Sequence, residues 1–355
     1  MIVHVLFEHS ADRLPHGASY IRLLLPLQHP VNSDAWQVTH GPDYGGGADV
    51  VIVDRTWRPG PGVLDAAEAL VERIRREGSC LIYSLDDNLL DWTPRSFAQT
   101  GPTAEQLSAV RLLAREADGI LVSTEFLKDR LKHMNPRVYV IANALDERLV
   151  DERHEPMVGD ARVIIGFMGT YSHEADLRLV LEPLRAILRA HADRLEFQLI
   201  GGMPASSLRE AFKGLPLRVL DGDRPVDYPA FLRWFTTRVR WDIGLAPLEE
   251  TTFTSGKSDV KFLDYAALGA AGIYSRVPAY ANSVQTDVTG CLVDNTVPAW
   301  RAGLERLVSD GALRARLAQN ARQYLFSKRT LRVCAQHWRQ AILTILANSR
   351  GSDWT

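Results

Sequence analysis

Short apolar runs alternate with longer stretches of helical periodicity from one end of this chain to the other, a pattern that restricts it to βαβ units and parallel sheets. In the first half the strand candidates are IVHVLF, DVVIVD, CLIYSL, GILVS and VYVIA, and the intervening EALVERIRREG and QLSAVRLLAREAD read as helices. A second series opens at ARVIIGFMG. It continues with a helix from about Glu174 to His191, the strands LEFQLIGG and LRVLD, a helix around YPAFLRWF, the strand DIGLAPL, a helix over VKFLDYAALG, and then AGIYS, TGCLVD and a helical tail. At 355 residues the length suits about two domains. The expected architecture is therefore α/β, with two doubly wound Rossmann-like domains over 1–152 and 153–330 facing a central cleft. A C-terminal helix over 331–355 is expected to pack back towards the first domain. The polar stretch from Asn143 to Asp160 carries no strong period and is the expected linker.

Composition narrows the function classes. A net charge of -2 gives no general signal for binding polyanions, so nucleic acid is not an expected partner. The three cysteines, Cys80, Cys291 and Cys334, are far apart with no CxxC, which suggests neither a zinc knuckle nor a disulfide framework. That usage suits a reducing cytoplasm. Glu8 and two histidines fall within the first ten residues, so the N-terminus reads as a first strand and not as a signal peptide. No uncharged apolar run reaches about 18 residues, so any membrane contact would be peripheral, at the inner face of the cytoplasmic membrane.

In open sheets ligands bind beyond the carboxyl ends of the strands, and that rule sorts the motifs. GPDYGGGAD at 41–49 precedes a strand instead of following one and reads as a surface turn. GFMGTYSHEADL follows a strand and opens a helix with Ser172 as N-cap, so Gly169 and Thr170 could offer N–H groups to an anion; an ordinary βα turn has the same look. TSGKSD at 254–259 is half a P-loop, because the glycine needed five residues before Gly256 is Thr251. The alternative for the same stretch places Lys257, Lys261 and Asp264 on one helical face, with two cations for a diphosphate and a carboxylate for ribose hydroxyls. Solvated surface lysines would also fit that spacing. Asp86 and Asp87 follow CLIYSL. They could share a proton, orient a hydroxyl, hold a divalent metal or simply cap a turn. His16, Gly17 and Arg22, after the first strand, could line the cleft, whereas in VSTEFL helix capping by Ser123 or Thr124 is favoured over a ligand contact by Glu125. Neither HEADL nor HEPMV completes HExxH, and no GxSxG elbow is present.

The segment DIGLAPLEETTFTSGKSDVKFLDYAALGAAGIYSRVPAYANSVQTDVTGCLVDN resembles the nucleotide-sugar-binding part of GT-B glycosyltransferases, specifically a divergent branch of the retaining family 4. The similarity extends to IGFMGTYSHEADLRLVLEPL and, more loosely, to ASYIRLLLPL, IYSLDDNLLD, ADGILVSTEFL and NALD. What the resemblance implies is a nucleotide-sugar donor held by the second domain and a glycan or lipid-linked acceptor held by the first, in a surface polysaccharide pathway. The family's ribose-binding carboxylate, generally glutamate, matches Asp264, and the place of its other glutamate is taken by Gly256. Its usual Arg and Lys after the first strand of the second domain are missing, since TYSHEADL offers no cation except His173. Lys257 and Lys261 are therefore expected to neutralise the diphosphate, with Gly169, Thr170 and His173 nearby and Asp86 and Asp87 on the acceptor side. Retention without a metal or other cofactor is the expected chemistry. A GT-B-like sugar-nucleotide epimerase, a P-loop ATPase and a non-catalytic nucleotide-sugar-binding module stand as alternatives. If the two sides act separately, Asp87→Asn should impair transfer yet change donor affinity by less than about twofold.

Overall fold

The computed structural model describes residues 1–93, 101–152, 162–170, 173–202, 207, 210–222 and 224–351. Among these, twelve strands form two six-stranded sheets in which all neighbours run parallel. The first contains β1 (Ile2–Leu6), β2 (Gln37–Gly41), β3 (Val50–Asp54), β4 (Cys80–Leu85), β5 (Gly119–Val122) and β6 (Val138–Val140), in the order β2-β1-β3-β4-β5-β6. The second contains β7 (Val163–Gly169), β8 (Leu195–Gly201), β9 (Leu217–Val219), β10 (Ile243–Ala246), β11 (Ala271–Ser275) and β12 (Cys291–Val293), in the order β12-β11-β10-β7-β8-β9. Strand order reverses between β1 and β3 in one sheet and between β7 and β10 in the other. Crevices at such switch points are where open α/β sheets take ligands.

Burial explains which runs became strands. All five residues of β3, VVIVD, are buried, as a central strand covered on both faces requires. The edge strand β2, QVTHG, is mostly exposed and polar, and its sequence does not announce it. In the helix Val63–Glu77 the buried positions are Val63, Ala67, Leu70, Val71 and Ile74, a single stripe at helical spacing that faces the first sheet. On the second sheet, the helices Leu181–Ala190 and Val297–Ser309 bury Leu184, Leu188, Trp300 and Leu304 in one apolar layer. The continuous helix expected from Glu174 to His191 is two helices, Glu174–Arg178 and Leu181–Ala190. Pro183 accounts for the break, since it has no N–H to give the Leu179 carbonyl and its ring would clash there.

Two chain segments cross between the sheets, and they are bonded to each other. Leu145 N–H donates to Arg329 O at 2.8 Å, and Leu331 N–H donates to Leu145 O at 2.8 Å. Of the expected linker, residues 143–152 are thus a strap with Asn143, Leu145 and Asp146 buried, while residues 153–160 lie outside the described residues. Asn143 of the strap bonds to residues of both halves, and Arg329 of the facing segment is anchored beside it. Asn143 Oδ1 accepts from Arg22 Nη1 (2.8 Å), Asn143 Nδ2 donates to Ser258 Oγ (2.7 Å), and Arg329 grips both oxygens of Asp259 (2.7 and 2.9 Å). The last helix, Leu331–Gly351, lies on the first sheet, where the fully buried Trp338 donates its Nε1–H to Arg22 O at 2.7 Å. Among the described residues no helix is long and apolar enough to cross a membrane.

Candidate functional site

At the β1/β3 switch point the first sheet presents a cluster of carboxylates around one arginine. Arg55 directly follows β3, and its Nε donates to Glu8 Oε2 at 2.8 Å. Its Nη1 reaches both Asp86 and Asp87, the latter at 2.8 Å on Oδ2. Arg55 and Trp57 have φ of 49° and 58°, a left-handed conformation that costs a side-chain-bearing residue about 1–3 kcal/mol. The turn is held by Arg55 N–H on Ser84 O (2.9 Å), Trp57 N–H on Asp54 O (2.8 Å) and the Tyr83 hydroxyl on Arg55 O (2.8 Å). Burial alone would raise the Glu8 pKa. The Arg55 charge and hydrogen bonds from His16 and Thr56 overcome it and bring the group down to about 2. For Asp87, too, burial is outweighed, by Lys257 and Arg55, and the group stays a carboxylate far below its ordinary range. Asp54 behaves oppositely: burial, then the Glu8 and Asp86 charges, push it up to about 7 despite a 2.6 Å bond from Ser19 Oγ.

The β7/β10 switch point of the second sheet carries the cations. His173 Nδ1 bonds Asp176 Oδ2 at 2.7 Å, and Asp176 Oδ1 accepts the Glu249 N–H at 2.8 Å, which fixes the imidazole ring over the end of β7. Burial and the neighbouring Lys261 charge lower its pKa to about 4 against the pull of Asp176, so at neutral pH the ring is uncharged. His173 is then no cation here; with its proton on Nδ1, it presents Nε2 as an acceptor. Gly169 ends β7 where a Cβ would sit 2.9 Å from His173 Cβ, so only glycine lets that turn fold this closely. Lys261 Nζ lies 5.7 Å from the Phe167 ring centre, and Asp264, one turn on, is 3% exposed with the Tyr228 hydroxyl 3.4 Å from Oδ1. Burial raises Asp264 to about 7, against the opposing influence of Lys261 and Tyr228.

Lys257 is not on the helical face where its spacing had placed it. The helix spans Val260–Leu268, and Lys257 is extended (φ -70°, ψ 151°) after a 3-10 turn at Thr254–Gly256. Thr254 makes that turn: its Oγ1 donates to Glu249 O at 2.5 Å and accepts the Thr251 N–H at 2.9 Å. The same turn disposes of the P-loop alternative. The N–H groups of Ser255, Gly256 and Lys257 donate to Thr251, Phe253 and Thr254 carbonyls at 2.9, 3.2 and 3.0 Å, so they cannot cradle a phosphate. Both lysine charges, Lys261 more than Lys257, add to burial in opposing a proton on His173.

The two switch points meet at Lys257, whose Nζ is 2.8 Å from Asp87 Oδ1. Around it, Asn88 Nδ2 donates to Thr252 O (3.0 Å) and Thr124 Oγ1 to Gly256 O (3.3 Å). This pairing joins the two sides that were expected to act separately. It also accounts for glycine at 256, where a Cβ would lie 2.9 Å from Asn88 Cβ and 3.1 Å from Leu127 Cδ2, leaving no room for a glutamate. Gly256→Ala is expected to wedge the 251–257 loop away from Asn88 and cost about 1–3 kcal/mol, read as a lower urea midpoint at unchanged slope.

Other predicted residues are distributed around this junction. His16, partly exposed, bridges Glu8 Oε2 (3.2 Å) and Ser10 Oγ (2.8 Å), and Gly17 opens a short helix facing Tyr228 of the second half. Arg22 does not line the cleft surface; it is fully buried beneath it, with Nη1 on Ile141 O at 2.6 Å. Thr170 is exposed at the end of β7, Thr124 caps the helix Glu125–Leu131, and Ser172 lies outside the described residues. Sequence reasoning missed Glu8, Asp54, Arg55 and Tyr228, although Arg55 stands immediately after a strand and the strand-end rule could have found it. Among the described residues His29, Asp146 and Glu147 have ligand atoms within 4.8 Å of one another. His29 Nδ1 accepts the Val31 N–H (3.3 Å), its Nε2 bonds Glu147 Oε1 (3.0 Å), and Asp146 is gripped by Arg148, so these atoms already serve the strap.

No protein-family model and no curated protein matches the chain. Solved structures do. Sucrose-phosphate synthase from Thermosynechococcus elongatus superimposes with a TM-score of 0.69 at 13% identity, covering 98% of this chain and 99% of that one. Anabaena Alr3699/HepE in complex with UDP-glucose gives 0.68 at 13% identity over 97% and 100%. A glycosyltransferase from Rickettsia africae gives 0.63 at 12% identity over 97% and 98%. At such identities the likeness is one of fold, and the fold of this chain is GT-B: two Rossmann-like sheets whose carboxyl ends face one another.

Proposed function

We propose that this protein transfers a sugar from a nucleoside-diphosphate donor to a hydroxyl of a glycan or lipid-linked acceptor, with retention and without a metal, in surface polysaccharide synthesis at the cytoplasmic face of the membrane. The observation that carries the proposal is the 2.8 Å contact of Lys257 with Asp87, which sets the carboxylates after β4 against the segment that leads into the helix carrying Lys261 and Asp264. In this reading the diphosphate lies between the two lysines at the start of the helix Val260–Leu268, and charge developing on the leaving phosphate is met by groups already in place. Asp264 and Tyr228 take the ribose, and His173 Nε2 accepts a hydroxyl of the donor sugar. The incoming acceptor hydroxyl is oriented from the Asp86/Asp87 side and gives its proton to the departing phosphate oxygen on the same face.

Since the Anabaena protein was solved with UDP-glucose, uridine is the first nucleoside to try. Thermal shift with UDP, GDP, ADP and TDP and their sugars tests the proposal. The right donor at a hundredfold excess over its Kd should add about 2.7 kcal/mol of stability. A panel in which no diphosphate stabilises more than its nucleoside contradicts it, and turnover of the donor without any acceptor favours an epimerase instead. Asp264→Asn should weaken ribonucleotides more than their 2′,3′-dideoxy analogues. The same variant has a pH signature. A carboxyl raised to about 7 keeps its proton in the folded state while the unfolded chain loses it near pH 4, so stability falls as pH rises between the two. Asp264→Asn removes that penalty and should melt higher than the unmodified protein at pH 8, with the gap closing towards pH 4.

A further inference from the structure

Lys257, the cation that a donor diphosphate needs, already has an anion. Its Nζ is 2.8 Å from Asp87 Oδ1, and the other Asp87 oxygen is held by Arg55 Nη1 at 2.8 Å. The side chains of the pair are 20% and 17% exposed, so water screens it weakly. The contact is built in from both sides, because Asn88 next to Asp87 holds the Thr252 carbonyl and Thr124 holds that of Gly256 next to Lys257. A carboxylate and a phosphate offer an ammonium group the same thing, negative charge on oxygens at hydrogen-bond distance.

We infer that Asp87 is an intramolecular stand-in for the donor phosphate: it pairs with Lys257 until a donor binds, and donor binding exchanges one anion for the other. The inference rests on the diphosphate reading above. Arg55 keeps Asp87 in place after the exchange, so the carboxylate does not become an unpaired buried charge. Asp87 remains ionised at any pH near neutrality, so the competition does not lapse. Two consequences follow from a lysine shared in this way. Apparent donor affinity is lowered by the fraction of molecules in which Lys257 is taken. The Asp87 oxygen also becomes available to an acceptor hydroxyl only after the donor has arrived.

Isothermal titration with UDP, inorganic pyrophosphate and uridine, on the unmodified protein and on Asp87→Asn, Lys257→Met and the double variant, tests this. Asp87→Asn should tighten UDP and pyrophosphate about fivefold and leave uridine unchanged, and the gain should vanish when Lys257 is also methionine. Asp87→Ser removes the same charge if the asparagine variant is unstable. The inference is overturned if Asp87→Asn binds UDP and pyrophosphate no more tightly than the unmodified protein while Lys257→Met has lost them. If Lys257→Met binds both as well as the unmodified protein, or the unmodified protein binds neither, the diphosphate reading fails and the stand-in fails with it.

Discussion

Lys257→Ala and Lys261→Ala should each cost about 1.5–3 kcal/mol of nucleoside-diphosphate affinity, roughly tenfold to 150-fold, while nucleoside affinity stays nearly constant. The two losses should differ in origin. Without Lys257, Asp87 still faces the incoming phosphate and repels it, so this variant should be the weaker binder. Without Lys261, the Phe167 ring loses its cation, and the larger of the two lysine charges that add to burial in lowering His173 is removed. The His173 pKa should therefore rise towards its ordinary value, which a histidine ring titration by NMR would detect. Titration calorimetry with UDP and uridine separates phosphate contacts from everything else. Equal losses on nucleoside and diphosphate would assign both lysines to the fold and not to the ligand.

Arg55→Met is expected to have the largest effect on stability. One guanidinium balances Glu8, Asp86 and Asp87, and breaking a buried pair by removing one partner typically costs about 3–5 kcal/mol. The loss should depend on pH with a definite sign. Glu8 and Asp87 are depressed below their unfolded values, so their contribution is complete above the unfolded range near pH 4 and is lost as pH falls through the folded values, about 2 for Glu8. Urea unfolding should show the gap between unmodified protein and Arg55→Met wide at pH 7 and narrowing below pH 4. Arg55→Gly supplies the internal control: it loses the same charge but relieves the left-handed backbone at φ 49°, so it should be the less damaged of the two. A gap that does not change with pH would mean that packing, and not charge, is what Arg55 provides.

What could be read in the sequence was whatever depends on near neighbours. The β3 run is four buried β-branched apolar residues followed by a buried aspartate, and its assignment needs no partner. By contrast β2 is a strand only because β1 lies beside it, and nothing in QVTHG says so. The spacing of Lys257, Lys261 and Asp264 placed all three on one helical face, which holds for Lys261 and Asp264 and fails for Lys257. Threonines 251 and 254 close a 3-10 turn at 254–256, so the helix starts only at Val260, three residues after Lys257, and of the three only Lys261 and Asp264 lie on it. The carboxylate cluster of the first sheet was harder, since Glu8 and Arg55 are 47 residues apart and the value of each lies in the other. The same holds for the strap. Asn143 looked like linker because its partners, Arg22, Ser258 and Arg329, are scattered along the chain.

The central claim is the position of the diphosphate, and a crystal structure with the most stabilising nucleoside diphosphate bound tests it most directly. Phosphate density is predicted within hydrogen-bond distance of Lys257 and Lys261 Nζ and close to the backbone at Gly169, with the ribose hydroxyls on Asp264 and with Lys257 withdrawn from Asp87. Phosphates placed elsewhere, or a Lys257–Asp87 pair unchanged beside a fully occupied ligand, would contradict it.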